Sequence, residues 1–188
     1  MAYSVYTSEA VVLKKRDVGE ADRSFSVFTK NFGRIEAFSR GVRLLKSKLR
    51  YNLSHPAVLR LSFIPTQNGL WRIIDAEEIK VLRNTKLDSA KFQCVLKFFA
   101  LLERLLQGQE EDAALWKETR DFLEKIEEEK YGAEDINDFF VYTGLKILGH
   151  MGYADRNVYS GDFSLKDVRP NRKFFVDSFK RGLENSHL

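Results

Sequence analysis

Short segments in which apolar and polar residues alternate dominate the first eighty residues of the chain. They lie at 8–15, 24–29, 33–40, 57–63 and 70–79, are rich in β-branched and aromatic residues, and are separated by Gly, Pro, Asn and Asp. This pattern predicts five β-strands. Asn31 with Gly33, and Asn68 with Gly69, predict hairpins between strands two and three and between strands four and five, because Asn and Gly tolerate positive φ. Such strands fit a small closed barrel of the OB-fold type, since closure removes exposed strand edges.

From Asp88 onward the apolar residues recur with a period of about 3.6, which is typical of helices. A first helix, capped by Asp88 or Ser89 and ending near Gly108, has on its apolar side Phe92, Val95, Leu96, Phe99, Leu102 and Leu106. The apolar positions of a second helix are Leu115, Thr119, Phe122, Leu123 and Ile126. Those of a third, which stops at Gly149 or Gly152, are Phe140, Thr143, Ile147, Leu148 and Met151, and those of a closing helix are Phe175, Val176, Phe179 and Leu183.

The predicted fold class is therefore α+β, with an N-terminal five-stranded OB-fold barrel followed by an all-α helical domain. We expect the barrel to occupy residues 1–80 and the helical domain residues 81–188, with a loop at 154–171, where no apolar period is visible and Gly161 and Pro170 interrupt the chain.

Charge is distributed unevenly between these two parts. Residues 1–60 hold twelve Lys and Arg against five Asp and Glu, whereas residues 103–138 hold thirteen acids against five bases. The acidic stretch has helical spacing and is interpreted as a solvated helix surface. The basic excess falls on the strands, which favours a surface that binds a polyanion.

The basic excess is concentrated between Arg34 and Arg50. Alternation along the third strand places Arg34, Phe38 and Arg40 on one face, together with Glu36. After Gly41 follows a loop rich in cations and free of acids, with Arg43, Lys46, Lys48 and Arg50. Cations can follow a phosphate backbone, and an aromatic ring offers a surface on which a base stacks. The segment therefore predicts a nucleic-acid site, which the end of the first strand extends with Lys14, Lys15 and Arg16; the alternative is a basic strand edge that only prevents aggregation.

Sequence signatures of common enzymes are absent: the chain has no phosphate-binding GKS or GKT, no G-x-G-x-x-G, no G-x-S-x-G and no H-E-x-x-H. The three histidines are scattered and Cys94 is the single cysteine, so neither a disulfide nor a zinc site is expected. Asp75 and Glu77 alternate onto one strand face and leave open a metal-dependent nuclease, although a solvated strand end explains them better. Because these signatures are absent, we expect a protein that is not an enzyme and needs no cofactor. No leader or membrane segment is visible, so we expect the protein in the cytoplasm.

Several short runs, in order and spacing, resemble the N-terminal domain of the bacterial RecO family. They are Glu9–Leu13, Gly19–Arg23, Phe28–Ile35, Ser39–Arg43 and Lys46–Arg50. Residues 92–106 are similar to that family's first long helix, and residues 139–153 to the helix before its zinc region. The resemblance implies a DNA repair and recombination mediator that binds single- and double-stranded DNA, anneals complementary strands and helps to load the strand-exchange protein. It also implies RecR and the acidic C-terminal tail of single-strand-binding protein as partners.

The chain departs from that family in two respects. Many members carry four cysteines after the third helix, whereas residues 154–171 contain none, so zinc is not expected. The chain is also shorter than is usual in the family. An alternative function is an adaptor whose helical domain docks the acidic tail through Lys91, Lys97 and Phe98, an aromatic site with a basic rim. The other interpretation is that Phe98 belongs to the core of the helical domain and that the two lysines are solvated.

Overall fold

In the computed structural model, which describes residues 4–53, 56–155 and 168–187, five strands close into a barrel. The strands are β1 (Tyr6–Val18), β2 (Asp22–Thr29), β3 (Gly33–Ser39), β4 (Ala57–Pro65) and β5 (Trp71–Val81), in the order β1-β2-β3-β5-β4. Antiparallel pairing joins β1 to β2 and β4, β2 to β3, and β4 to β5, while β3 and β5 are parallel. The predicted barrel and both hairpins are confirmed, and β1 is longer than predicted at each end.

Alternate residues of each strand fill the barrel interior. Phe25 and Val27 of β2 face Ile35 and Ala37 of β3, and all four are at most 2% exposed. The period of two thus separates an apolar interior from an outer surface. Beyond the strands, Val42 contributes to the same core, and it is 1% exposed.

Helices follow the barrel along the chain. Between β3 and β4 lies a single turn, α1 (Leu49–Asn52); the later helices are α2 (Arg83–Leu87), α3 (Ser89–Leu105), α4 (Ala113–Glu128), α5 (Ala133–His150) and α6 (Arg172–Asn185). The four predicted helices are confirmed as α3 to α6. A 3₁₀ turn at Arg169–Asn171 shows that the predicted loop was wrong at its end, and residues 156–167 of that prediction lie outside the described residues.

The chain divides into two compact units. The barrel unit comprises Met1–Leu82 together with Leu106–Ala113, and the helical unit comprises Arg83–Leu105 with Ala114–Leu188. Sequence patterns predicted one division after residue 80 and gave no indication that residues 106–113 lie with the barrel.

Hydrogen bonds from the start of β3 hold residues 106–113 in the barrel unit. The backbone N–H of Arg34 donates to the Gly108 carbonyl at 3.0 Å, and its Nη1 donates to the Leu106 carbonyl at 2.9 Å. Gly33 has φ +59°, and a Cβ at this position would collide with the backbone carbonyl of Glu110. The segment therefore requires a glycine at the β2–β3 turn.

Stacked aromatic rings form the core of the helical unit. Phe98 of α3 stacks on Phe122 of α4 with ring centroids 3.8 Å apart, and Phe122 stacks on Phe139 of α5 at 5.1 Å. Phe98 is fully buried, whereas Leu96, which was assigned to the apolar side of this helix, is 40% exposed. That assignment was wrong because the buried face of α3 is centred on Val95, Phe98 and Leu102.

Two carboxylates fix the start of the helical unit. Asp88 Oδ1 accepts from the backbone N–H groups of Ala90 and Lys91 at 2.9 and 3.1 Å, which confirms it as the cap of α3. Glu127, 7% exposed, accepts from the backbone N–H groups of Asn84 and Thr85 at 2.9 Å each. These hydrogen bonds lower the pKa of Glu127 although its burial acts in the opposite sense.

Among the helices of the described ranges, none is long and apolar enough to cross a membrane.

Candidate nucleic-acid interface

A row of four side chains crosses the outer surface of the barrel. Register pairs Arg16 of β1 with Ser24 of β2, Ser24 with Phe38 of β3, and Phe38 with Arg72 of β5. Phe38 and Arg72 are half-buried and Arg16 is exposed. The barrel thus places an aromatic ring between two arginines from other strands, which we call the outer row (Arg16, Ser24, Phe38 and Arg72).

Arg40 extends the outer row beyond the end of β3. Its guanidinium carbon lies 5.9 Å from the centroid of the Phe38 ring, within the range of a cation–π contact. Alternation along β3 had predicted that Phe38 and Arg40 share a face, and the burial pattern, with Ile35, Ala37 and Ser39 buried between more exposed neighbours, confirms that alternation. An aromatic face with a cation beside it suits a stacked base next to its phosphate.

Residues 40–50, which we call the basic loop, leave β3 and are fastened at their start. Gly41, at φ +65°, donates its N–H to Asp22 Oδ1 at 2.7 Å, and the Arg43 N–H donates to the Ala21 carbonyl at 2.9 Å. Val42 between them is buried in the barrel core. Residues 41–43 therefore fix the start of the basic loop beside the β1–β2 turn. The cations that follow extend from this fixed point.

Asp17 offsets part of the positive charge at this end of the barrel. Its Oδ1 accepts from Arg23 Nε at 2.6 Å, and its Oδ2 lies 3.5 Å from Arg43 Nε. The hydrogen bond from Arg23 is the main reason why the pKa of Asp17 lies below its usual value. Arg43 also donates to the Gly19 carbonyl at 3.0 Å. The structure thus engages Arg43 in holding the loop.

Arg34 is likewise engaged within the barrel unit. Besides the Leu106 carbonyl, its guanidinium donates to Ser26 Oγ at 3.0 Å and to Glu36 Oε1 at 2.8 Å. The side chain lies on the face predicted for it, yet these contacts satisfy most of its donors.

The other predicted cations lie in exposed positions. Arg16, Arg40, Lys46 and Lys48 are exposed and Arg50 is half-buried; within the described ranges none of these five has a carboxylate partner, and the same holds for Arg72. Lys14 and Lys15 are exposed on β1. Partial burial, and next the charge of Arg23, lower the pKa of Lys15.

The two candidate metal ligands, Asp75 and Glu77, are both exposed. Glu77 Oε2 forms an ion pair with Arg60 Nη1 at 2.8 Å, so the position of this carboxylate is explained without a metal ion.

The proposed partner site in the helical unit requires correction. Phe98 is fully buried in the aromatic stack, and Lys91, 6% exposed, donates from Nζ to the Glu129 carbonyl at 2.6 Å. Neither is accessible to a peptide. Lys97 is exposed and lines a cavity of about 170 Å³ between α3 and α5, together with Phe140 and the buried Cys94. Burial raises the pKa of that thiol to about 12.

Comparison with known proteins agrees with the barrel. The family model described as Recombination protein O N terminal matches residues 1–82. Relatives named DNA repair protein RecO come from Thermoanaerobacter, 26% identical over 171 residues, and Thermodesulfovibrio yellowstonii, 29% identical over 146 residues. The barrel is similar to the N-terminal domain of the RecO family, and most of the chain is similar to proteins of that name.

These RecO relatives are longer than the present chain. The matches cover 91% and 78% of this chain but 66% and 58% of the two relatives, so the chain spans about three fifths of the length of the proteins it matches. The RecO family match covers all five strands, the outer row and the basic loop.

Arg72 is a member of the site that the sequence patterns did not predict. β3 and β5 lie in parallel, and no local pattern specifies which residue of β5 meets Phe38. The alternation of β5 does show that Arg72 shares an orientation with Ile74 and not with the buried Ile73, which is the one signal that was available.

Proposed function

We propose that this chain binds single- and double-stranded DNA through the outer row, Arg40 and the basic loop. Six cations that have no carboxylate partner within the described ranges support this proposal: Arg16, Arg40, Arg72, Lys46, Lys48 and Arg50. Two of them, Arg40 and Arg72, border a half-buried aromatic ring, Phe38, on which a base can stack. Relative to the sequence prediction, the proposal adds Arg72 and assigns Arg34 and Arg43 to holding the surface in shape. Lys14 and Lys15 remain at its border.

In this proposal the protein is a recombination mediator in DNA repair, and it performs no covalent chemistry. It anneals complementary strands and assists the loading of the strand-exchange protein, with RecR and the tail of single-strand-binding protein as partners, in the cytoplasm. The names of the RecO relatives support the repair role. The charge of the barrel supports annealing, because cations that neutralise phosphates allow two strands to approach each other.

The observation that carries the proposal is the arrangement of Arg40 and Arg72 around Phe38. Arg40 lies over the ring and Arg72 is its partner on the neighbouring strand. A solvated edge that only prevents aggregation requires cations but no accessible aromatic ring among them.

A variant of four cations tests the proposal directly. We expect Arg40, Lys46, Lys48 and Arg50 changed together to Ala to weaken binding to oligonucleotides of every sequence to a similar extent, and to slow annealing of complementary strands. Fluorescence anisotropy with labelled oligonucleotides measures the first effect, and quenching between labelled strands the second. The exposed cations Lys117, Lys125, Lys130 and Lys180 of the helical unit, changed together, provide the control. Unchanged affinity in the first variant would contradict the assignment.

The cavity beside Lys97 supports a second candidate, an adaptor that docks an acidic, Phe-ending tail. Phe140 and Ile136 offer an apolar lining, and Lys97 supplies a positive charge. A fluorescent tail peptide, titrated without DNA, tests this candidate: micromolar binding that Lys97→Glu abolishes supports it, and no binding removes it.

A metal-dependent nuclease is tested by adding Mg²⁺ or Mn²⁺ to the protein with DNA. Cleavage of the DNA would favour this function, and we expect no cleaved product.

A further inference from the structure

Two adjacent leucines lie at the tip of the basic loop with their side chains in solvent. Leu45 is 85% exposed and Leu44 is 45% exposed. Exposing a large apolar side chain to this extent forgoes the stabilisation that its burial provides. In the barrel unit Leu45 is the most exposed of the large hydrophobic residues described.

The basic loop holds this tip in a defined conformation. Leu44 N–H donates to the Gly41 carbonyl at 3.1 Å, and Ser47 N–H donates to the Leu44 carbonyl at 3.0 Å. The first turn contains the buried Val42 and begins at Gly41, whose N–H is bonded to Asp22. Two consecutive turns, fixed at Gly41, therefore hold Leu45 in the solvent. Its exposure follows from the conformation of the loop.

The surroundings of Leu45 identify the chemistry of what covers it. Residues 40–51 contain five Lys and Arg and no acid. Lys46 and Lys48 are exposed, and neither has a carboxylate partner within the described ranges. An apolar side chain flanked along the loop by positive charges is complementary to a ligand with apolar faces and a negative backbone, which describes a nucleic-acid strand.

We propose that Leu45 inserts between neighbouring bases of the DNA strand whose phosphates contact the basic loop. The inference rests on the proposed DNA-binding function and adds a role that the charges alone do not supply. Leucine and other apolar side chains act as wedges that partly unstack a base step and kink duplex DNA, and the same insertion would open a step between stacked bases of a single strand. A strand held with one base step opened is kept from folding on itself, so that its bases are available to a complementary strand.

Fluorescence of 2-aminopurine tests this insertion, because stacking quenches the base and unstacking restores its emission. We expect saturating protein to increase the emission of a single-stranded oligonucleotide that carries 2-aminopurine. Leu45→Ser should abolish that increase and lower affinity by about tenfold, the scale of burying one leucine side chain, while the salt dependence of binding stays the same. Leu45→Phe should preserve the increase. Leu87→Ser is the matched control, since Leu87 is 88% exposed and lies in the helical unit.

The outcomes separate this inference from the function on which it rests. If the wild-type protein binds DNA without an increase in emission, or if Leu45→Ser retains it, the wedge is wrong and the DNA-binding surface stands. If the variant of four cations binds DNA as tightly as the wild type, the proposed surface itself is wrong. Binding to phosphatidylglycerol vesicles that depends on Leu45, without any change in 2-aminopurine emission, would also overturn the inference in favour of a lipid surface.

Discussion

Phe38 of β3 and Arg72 of β5 are partners across the parallel contact that closes the barrel, although 34 positions separate them in sequence. The guanidinium of Arg40 approaches the same ring to 5.9 Å. One aromatic side chain is thus bordered by a cation of β5 and by a cation that follows β3, and the proposed DNA surface is organised around it.

Removing Arg72 tests the residue that the fold adds to this surface. We expect Arg72→Ala to weaken single-strand binding by about threefold to tenfold at low salt and to make the slope of log K against log salt shallower by about 0.7, as the loss of one phosphate contact requires. Arg60→Ala is the control, because Arg60 is paired with Glu77 on the outside of β4 and β5. Equal effects of the two changes would show that the surface responds to net charge and not to position.

Asp22 tests whether the basic loop must be anchored. Its carboxylate accepts from the Gly41 N–H at 2.7 Å, so Asp22→Ala should release the start of the loop. Although the change makes the protein more positive, we expect DNA affinity to fall by about fivefold, the scale of the net contribution of a typical hydrogen bond, about 1 kcal/mol. Faster amide exchange at residues 41–47 reports the release. Glu20→Ala removes a neighbouring exposed carboxylate and should leave both readouts unchanged; a rise in affinity for Asp22→Ala would contradict the anchoring role.

The ion pair of Asp17 with Arg23 predicts a dependence on acid. Because the hydrogen bond from Arg23 lowers the pKa of Asp17, the contact is complete above the pKa of an unfolded aspartate, about 3.9, and is lost only as the pH falls through the lower value of the folded state. A carboxyl-carbon NMR titration should therefore place the midpoint of Asp17 below the ordinary range. In Arg23→Gln it should return toward that range. A midpoint unaffected by Arg23→Gln would assign the shift to another group.

Gly33 tests the close approach of residues 106–113 to the barrel. Gly33→Ala combines a left-handed backbone with a collision at Glu110, and we expect it to lower the free energy of unfolding by about 2 to 4 kcal/mol. Gly69→Ala has a similar φ, +74°, but no atom within 4 Å of the new Cβ, so it should cost about 1 kcal/mol. Urea denaturation followed by Trp71 emission in a Trp116→Phe background measures both. Equal costs would mean that the collision is relieved by movement of the segment.

Local patterns were sufficient to predict the five strands and the two hairpins, because the period of two and the turn residues are written in consecutive positions. Contacts between distant positions were not predictable in this way. Arg72 reaches Phe38 through a parallel pairing, and residues 106–113 reach β3 through bonds to a single arginine. Phe98 was assigned to a partner site because α3 is apolar on more than one stripe, and only the facing rings of Phe122 and Phe139 show which stripe is core. Cations with and without a carboxylate partner also look alike in sequence: Arg43 contacts Asp17 and the Gly19 carbonyl, whereas Arg40 lies over the ring of Phe38.

The salt dependence of binding to a short single strand is the most direct test of the proposed surface. The six cations of this surface, from Arg16 to Arg72, predict a slope of log K against log salt near −4 for the wild type, since each phosphate contact on a single strand contributes about −0.7. With Arg40, Lys46, Lys48 and Arg50 changed to Ala, the slope should fall to about −1. A wild-type slope near zero, or a slope that the four changes leave as steep as before, would contradict the claim that this face of the barrel binds DNA.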